Sequence, residues 1–229
     1  MSVSTSRVRE DFDRIALLTE LHGHGGADDV YYDHLLRQLP PRPADALEVG
    51  CGAGAFTQLL ASRARRVTAL DLSPQMIRLA KSRAGGRGNV EYLLGDFMRL
   101  PLPAAGFDCV ISLATLHHLP LAPALRKMKD SLKPGGTLVI HDLIADAGPA
   151  DKAASALAFP AAALLRFWRT GRARTPREVR RVWAEHGKGE TYLTRGGVRR
   201  MCEEHLPAAL VRRHLLWRYT VVWRKPEEA

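Results

Sequence analysis

The chain has 229 residues, of which 46% are hydrophobic and 25% are charged; these are ordinary values for a folded globular protein, and they exclude fibrous, disordered and polytopic membrane proteins. The formal net charge is +10, but residues 1–150 hold 17 Lys and Arg against 16 Asp and Glu, whereas residues 151–229 hold 17 against 8. A local basic excess can indicate nucleic acid, an anionic surface or an acidic substrate, but a solvated Arg-rich face is the simpler interpretation, and we expect no nucleic acid partner.

Cysteine placement and apolar runs set the expected cellular context. Cys51, Cys109 and Cys202 are odd in number and widely spaced, which predicts neither a disulfide framework nor a cysteine-based metal site. No HExxH motif or carboxylate cluster is visible, so we expect no metal. The first ten residues lack the apolar core of a signal peptide, and the longest apolar stretch, residues 153–165, is too short to span a bilayer. These features predict a cytoplasmic protein without a membrane span.

Strand and helix patterns alternate through the middle of the chain. Within a single domain we predict a helical lid region at 1–43, a cofactor-binding core at 44–150, a helical cap insertion at 151–206 and final strands at 207–229. The predicted elements, in order, are a helix at 30–39, a strand at 46–49, a helix at 55–64, a strand at 67–70, a helix at 74–83, strands at 90–94 and 107–113, a helix at 121–132, a strand at 137–141, and one or two strands at 210–224. This order indicates an α/β fold with a parallel sheet and helices on both faces.

The segment that ends the first predicted strand is rich in glycine. Gly50, Gly52 and Ala55 satisfy the G-x-G-x-x-G/A pattern of dinucleotide-binding turns, in which the backbone closely approaches a phosphate. Gly54, however, produces a G-x-G-x-G spacing, and Glu48 lies two positions before the first glycine. A carboxylate there would repel a pyrophosphate but suits S-adenosylmethionine, which carries a sulfonium and an ammonium. The turn therefore favours S-adenosylmethionine, and a nicotinamide-dependent reductase is an alternative.

Acidic residues also end the next two predicted strands. Asp71 lies 21 positions after Gly50, a separation at which a carboxylate can accept hydrogen bonds from ribose hydroxyls. Gly95 and Asp96 end the third strand, where Asp96 could accept from an adenine amino group and Phe97 could pack on the ring. Because ligands bind outside the carboxyl ends of the strands in open α/β sheets, we expect these residues to line one nucleoside site.

In four segments between residues 44 and 143, the chain resembles class I S-adenosylmethionine-dependent methyltransferases of the small-molecule type (type 11, which includes ubiquinone and menaquinone biosynthesis enzymes). The segments are LEVGCGAGAF, VTALDLSPQMI, VEYLLGDFMRLPLPAAGFDCVISLATLHHL and LKPGGTLVIHDL. The resemblance implies a Rossmann-like, doubly wound sheet of seven mostly parallel strands with an antiparallel last strand, S-adenosylmethionine as cofactor, S-adenosylhomocysteine as product, and a small-molecule acceptor. The residues assigned to the cofactor, by their positions at the strand ends or by this resemblance, are Glu48, Gly50, Cys51, Gly52, Gly54, Asp71, Leu72, Met76, Gly95, Asp96, Phe97 and Leu113. One departure is that no Gly, Asn or Pro separates the last two strand candidates near Leu216 and Trp217, which leaves the sixth and seventh strands open.

Histidines follow the fourth predicted strand, at the rim where the transferred methyl group should point. A general base is needed only when the acceptor must lose a proton, and a histidine suits that task near neutral pH. We take His117 and His118 as the catalytic candidates, with His118 ahead, and His141 and Asp142 as second candidates. For His117 and His118, packing or a contact with the cofactor is the alternative.

The composition of the predicted cap indicates the chemical class of the acceptor. It is apolar over residues 153–165 and aromatic at Phe167, Trp168 and Trp183, which favours a hydrophobic or aromatic acceptor, unless these residues only bury one another. The basic C-terminal third keeps an RNA or protein methyltransferase as an alternative, although the chain has no Asn/Asp-Pro-Pro-Tyr/Phe motif. A non-catalytic S-adenosylmethionine-binding module is a further alternative. The acceptor atom (O, N or C) and the oligomeric state stay open.

Overall fold

The computed structural model of the chain describes residues 5–22, 27–146, 148 and 176–227, together with 156, 158, 160–164, 167 and 168. Its centre is one seven-stranded sheet with the strand order β3-β2-β1-β4-β5-β7-β6. The strands are β1 Asp45–Val49, β2 Arg66–Asp71, β3 Val90–Leu94, β4 Phe107–Leu113, β5 Leu132–Leu143, β6 Leu210–His214 and β7 Arg218–Arg224. The first five strands pair in parallel, and β7 runs antiparallel to both β5 and β6. The predicted fold class is therefore confirmed.

Helices cover both faces of this sheet. Those whose bounds lie within the described residues are α1 Thr5–His22, α2 Tyr32–Leu36, α3 Ala55–Ala61, α4 Pro74–Ser82, α5 Leu121–Ser131, α6 Arg177–Gly187 and α7 Arg195–His205, with short 3-10 helices at Ala27–Tyr31 and Leu116–His118. No helix in the described part of the chain has the length and hydropathy needed to cross a membrane.

The first strand shows why the sheet has two cores. Leu47 and Val49 are fully buried in the apolar cluster on one face, and Ala46 is fully buried in the cluster on the other. Successive side chains alternate between the faces of a strand, so β1 must be apolar on both sides. Chain order reverses beside β1, since β2 lies on one flank and β4 on the other. A crevice at the carboxyl ends of the strands is expected at such a switch point.

The predicted bounds differ most from the structure at two elements. β5 begins at Leu132 rather than at 137, because the Gly135 N–H donates to the Lys225 carbonyl at 3.0 Å and the Lys225 N–H donates to the Gly136 carbonyl at 2.8 Å. These bonds hold the glycine segment against the end of the sheet instead of releasing it as a turn. The helix predicted at 30–39 is a 3-10 turn followed by the short α2.

The final strands form a hairpin without a turn-forming residue. Leu216 and Trp217 take left-handed backbone conformations, with φ of 62° and 55°. Residues other than glycine rarely adopt this left-handed backbone conformation. A turn built from Leu216 and Trp217 therefore gives no recognisable signal in the sequence. Leu216 is buried, and its packing offsets part of the local strain.

The N-terminal helix α1 is fastened to α4 at two places. Asp13 Oδ1 accepts a hydrogen bond from the Ser73 hydroxyl at 2.6 Å, and Arg78 Nη2 lies 2.7 Å from Glu20 Oε2. Ser73 is also the N-cap of α4, accepting from the Met76 N–H. These contacts place α1 over the end of the sheet where the strands β1 and β2 stop.

Much of the predicted cap lies outside the described residues, including Arg169 to Thr175 and about half of the apolar stretch 153–165. Among its described residues, Phe167 and Trp168 are exposed, at 54% and 80%. Of the three aromatic residues singled out in the predicted cap, Trp183, on α6, is the one that lines the crevice.

Candidate active site

A cavity of about 690 Å³ opens at the carboxyl ends of the central strands. Its floor is formed by the turns after β1, β2, β3 and β4. Its other side is formed by α1, through Val8 and Phe12, and by α6 and the segment after it, through Trp183, His186 and Tyr192. The volume lies within the range of small-molecule sites, about 300–1,000 Å³.

The glycine turn brings the backbone to the cavity wall. Gly50 has a φ of +77°, and a Cβ at this position would lie 2.1 Å from Thr115 Oγ1. Gly52 has a φ of +52°, and a Cβ there would meet no atom within 4 Å, so its requirement for glycine is conformational rather than steric. The two positions therefore leave open backbone facing the cavity, with Thr115 closing the space behind Gly50.

Glu48 is a buried carboxyl group at the bottom of the cavity. The residue is 1% exposed, and its Oε2 accepts a hydrogen bond from the Thr57 hydroxyl at 2.6 Å. Burial raises the pKa of Glu48 to about 8, and the nearby Asp71 carboxylate contributes in the same direction. Such a group favours a cationic ligand, because a positive charge would stabilise its ionised form.

Asp71 orders the turns on both sides of it. Its Oδ2 accepts from the Gly52 N–H at 2.8 Å, and its Oδ1 accepts from the Ser73 N–H at 2.9 Å. Burial raises the pKa of Asp71, and these backbone donors oppose that shift. Asp96 uses Oδ1 in the same way, accepting from the Met98 N–H at 2.8 Å. Both carboxyl groups line the cavity while they brace their own loops.

Most of the predicted site residues meet in this cavity. Those that line it are Glu48, Gly50, Cys51, Gly52, Asp71, Leu72, Gly95, Asp96, Phe97, Leu113, His117 and His118. Gly54 and Met76 are not among its lining residues. A Cβ on Gly54 would lie 2.9 Å from the Ala80 Cβ, so this glycine permits close packing of α3 on α4. Met76 is buried with Ile15 of α1, which takes its side chain away from the cavity.

The two predicted catalytic histidines have different surroundings. His117 Nδ1 lies 2.6 Å from Asp142 Oδ1, and Asp142 Oδ2 accepts from the His117 N–H at 3.0 Å. His118 Nδ1 lies 3.0 Å from Glu190 Oε2. Burial, with His117 and His186 close by, lowers the pKa of His118 to about 2. His118 is therefore a poor proton acceptor, whereas His117 is oriented by a carboxylate on both its ring and its backbone. The remaining candidate, His141, is fully buried, and its Nδ1 lies 2.9 Å from Thr220 Oγ1.

Several cavity residues were missed in the sequence. Phe12, His186, Glu190 and Tyr192 come from α1, α6 and the segment after α6, far along the chain from the strand ends. They carry no local motif, so only their three-dimensional packing reveals them. The sequence offered two local signals near these residues, the pattern of polar residues along α1 and the end of α6 at His186 and Gly187. Neither of them indicates a cavity.

Comparison with known proteins supplies the family. Residues 47–140 match the family described as a methyltransferase domain. This part of the chain is a class I S-adenosylmethionine-dependent methyltransferase domain. The match covers the glycine turn and the acidic strand ends described above, and it confirms the family and the cofactor class predicted from the sequence.

Relatives of the methyltransferase domain share this central region. An uncharacterized methyltransferase of Mycobacterium bovis is 38% identical over 114 residues, which cover 49% of this chain and 57% of that protein. The ubiquinone biosynthesis O-methyltransferase of Xanthomonas axonopodis pv. citri is 33% identical over 117 residues, which cover 50% of this chain and 49% of that protein. The chain thus spans about half the length of these curated relatives.

The likeness of fold extends further than the likeness of sequence. The crystal structure of the N-methyltransferase NodS from Bradyrhizobium japonicum WM9, in complex with S-adenosyl-L-homocysteine, covers 96% of this chain and 98% of its own at a TM-score of 0.66. The identity is 20%, so this comparison concerns the fold alone.

Proposed function

We propose that the protein transfers a methyl group from S-adenosylmethionine to a small hydrophobic or aromatic acceptor. The observation that carries this proposal is the continuity of the cavity. One space of about 690 Å³ joins the glycine turn to a chamber of aromatic and histidine side chains under α1 and α6. A cofactor and a small acceptor can meet end to end within such a space.

The proposed cofactor-binding residues lie at the carboxyl ends of the strands. Glu48 faces the cavity as a buried acid that suits the ammonium of the methionine moiety. The turn at Gly50 to Gly52 leaves the backbone free for close approach. We assign Asp71 to the ribose hydroxyls and Asp96 to the adenine amino group, because both carboxyl groups line the same cavity. These assignments suit a cationic nucleoside better than a pyrophosphate, because the carboxylates would repel the latter.

The acceptor half is lined by aromatic and histidine side chains. Phe12 packs edge-on against His118, with ring centroids 5.5 Å apart, and against Trp183, at 6.4 Å. Tyr192 lies in the same way against His117, at 5.0 Å. Methyl transfer needs little covalent help from the protein, since the activated methyl belongs to the cofactor. Alignment of donor and acceptor can by itself supply several kcal/mol.

A proton acceptor is available if the acceptor molecule must lose a proton. Of the two predicted histidines we place His117 ahead of His118, which reverses the order proposed from the sequence. The reason is that Asp142 orients the His117 ring, whereas the low pKa of His118 makes it a weak base.

Incubation with methyl-labelled S-adenosylmethionine and a metabolite extract tests this function. We expect the label in a molecule of low mass, identified by mass spectrometry. Label in RNA or protein would contradict the proposal and support the alternative suggested by the basic C-terminal third. Of the described arginines of that region, Arg177, Arg180 and Arg181 are exposed and do not line the cavity, whereas Arg218 lines it and is paired with Asp28.

A further inference from the structure

Three histidines from two distant parts of the chain meet at one wall of the cavity. His117 and His118 belong to the 3-10 helix after β4, and His186 belongs to α6. Each ring offers one nitrogen atom such that the three atoms all lie within 4.8 Å of one another. The side chains are 7%, 6% and 4% exposed, so the group is more than nine-tenths buried.

Each of these rings is held on its Nδ1 side by a different carboxyl group. Asp142 contacts His117 at 2.6 Å and Glu190 contacts His118 at 3.0 Å. His186 Nδ1 lies 3.1 Å from an Asp11 oxygen on α1. Metal-bound histidines commonly have this arrangement, in which a carboxylate engages one ring nitrogen and leaves the other for the ion. Because each Nδ1 is held by a different carboxyl group, the Nε2 atom of each ring is the one left to bind a ligand.

One of those Nε2 atoms has no partner. His118 Nε2 is buried and makes no hydrogen bond within the described structure. Leaving a buried polar atom unpaired costs about 1–3 kcal/mol, so histidines that served only to pack α1 and α6 together would be expected to pair it. A cation bound at His118 Nε2 would give this atom a partner.

We propose that His117, His118 and His186 form a binding site for a divalent transition-metal ion, with a further coordination position open to the acceptor half of the cavity. An all-imidazole set suits ions such as Zn²⁺ and Co²⁺, whereas Mg²⁺ and Ca²⁺ prefer oxygen ligands. Tetrahedral ligands at 2.0–2.1 Å from zinc lie about 3.4 Å apart, so the ion would draw the rings slightly together.

The site has a consequence for the chemistry of the cavity, and this consequence rests on the proposed function. With the ion bound, His117 would not serve as the proton acceptor considered above, because the ion would occupy the nitrogen lone pair that a general base needs. It would instead polarise a hydroxyl of the acceptor bound at the open position, which lowers the pKa of that hydroxyl and lets its proton pass to solvent. The site would also tie the methyltransferase core to α1 and α6, because Asp11 and His186 belong to those helices.

Metal uptake tests the site without any need for turnover. The full chain, without a polyhistidine tag and stripped with EDTA, is titrated with Co²⁺ and followed by its visible absorption, which is intense for four-coordinate Co²⁺. We expect saturation at one equivalent per chain, displacement by one equivalent of Zn²⁺, and no displacement by Mg²⁺. Failure of the wild-type chain to take up stoichiometric Co²⁺ would overturn the proposal.

Variants separate a metal site from a packing cluster. His186→Ala should abolish stoichiometric uptake, and Asp11→Asn should weaken it by about 10- to 100-fold, as is typical for the loss of a carboxylate that orients a ligand. His205→Ala is the matched control, since His205 lies at the end of α7 and does not line the cavity. Uptake by His186→Ala equal to that of the wild type would contradict the assignment.

Folding of the variants is checked independently by circular dichroism and by calorimetry with S-adenosylhomocysteine. If His186→Ala fails these checks, Asp11→Asn carries the test, because it alters no ligand atom. Failure of S-adenosylhomocysteine binding in the wild-type chain would count against the proposed function, and the Co²⁺ result would still decide the metal site.

Discussion

The buried Glu48 carboxyl group makes the stability of the ligand-free protein depend on pH in a specific way. Its pKa in the folded protein, about 8, lies above its ordinary value of 4.5. The folded state therefore holds the proton more tightly than the unfolded state. Stability associated with this group is fully present below pH 4.5 and is lost as the pH rises through about 8.

Replacement of Glu48 with Gln removes this pH dependence. With a pKa raised this far, Glu48 makes the unfolding free energy of the wild-type protein on the order of 3 kcal/mol smaller at pH 8 than at pH 5. Gln has the same shape and no charge, and its side-chain oxygen can still accept from Thr57. We expect the unfolding free energy of Glu48→Gln to change less between the two pH values than that of the wild type, by roughly this amount.

Urea unfolding at the two pH values measures the difference. Glu91→Gln is the control, because Glu91 is an exposed carboxylate on β3. Taking the difference between variant and wild type cancels the other titrating groups. If wild type and Glu48→Gln lose the same stability between pH 5 and pH 8, then Glu48 is not a buried acid of raised pKa, and its preference for a cationic ligand loses its physical basis.

The same carboxyl group links cofactor binding to pH. Under the proposed function, S-adenosylmethionine binds the ionised form of Glu48, so binding releases a proton below pH 8. We expect affinity to rise with pH by up to about tenfold per unit below that value. Calorimetry in two buffers of different ionisation enthalpy would report the proton. A proton release that persists in Glu48→Gln would assign it to another group.

Three further outcomes follow from the geometry. Asp71→Asn should reduce S-adenosylhomocysteine affinity by at least about tenfold, since a charged hydrogen bond is worth about 1.5–3 kcal/mol, and calorimetry that shows unchanged affinity would remove Asp71 from the site. Gly52→Ala should lower the unfolding free energy by about 1 kcal/mol, because alanine is strained in the left-handed backbone conformation. Gly50→Ala should lower it by about 3 kcal/mol, because the added Cβ also collides with Thr115. Equal urea midpoints for the two variants would contradict this difference. Asp13→Ala should lower stability by about 1 kcal/mol and speed amide exchange in α1 more than in β1, so uniform exchange rates would refute its role in fastening α1.

The cofactor half could be predicted because its geometry follows from topology. Strands β1 and β2 are parallel neighbours, so Glu48, the glycine turn and Asp71 must meet at one edge of the sheet wherever the helices lie. Strand bounds were recovered closely for β3 and β4, since both are short apolar runs between clear turn signals. Both predictions depend only on residues that are close in the chain or that lie on adjacent strands of a regular sheet.

The acceptor half could not be predicted because it depends on non-local packing. The same holds for Met76, which the family resemblance assigned to the cofactor, because α1 covers that face of α4 and buries it. His186 and Glu190 reach the cavity only because α6 packs on α1 and brings them to the end of β4. The expectation of no metal relied on ligand spacing along the chain, and that criterion cannot find three histidines that meet only in the folded protein.

Isothermal calorimetry of the full wild-type chain with S-adenosylhomocysteine tests the central claim most directly. That claim is that the cavity between the glycine turn, Glu48 and Asp71 is a site for the cofactor of this methyltransferase domain. We predict saturable binding at one equivalent per chain, with no comparable heat from NADH. Absence of saturable S-adenosylhomocysteine binding by the folded chain would contradict the account.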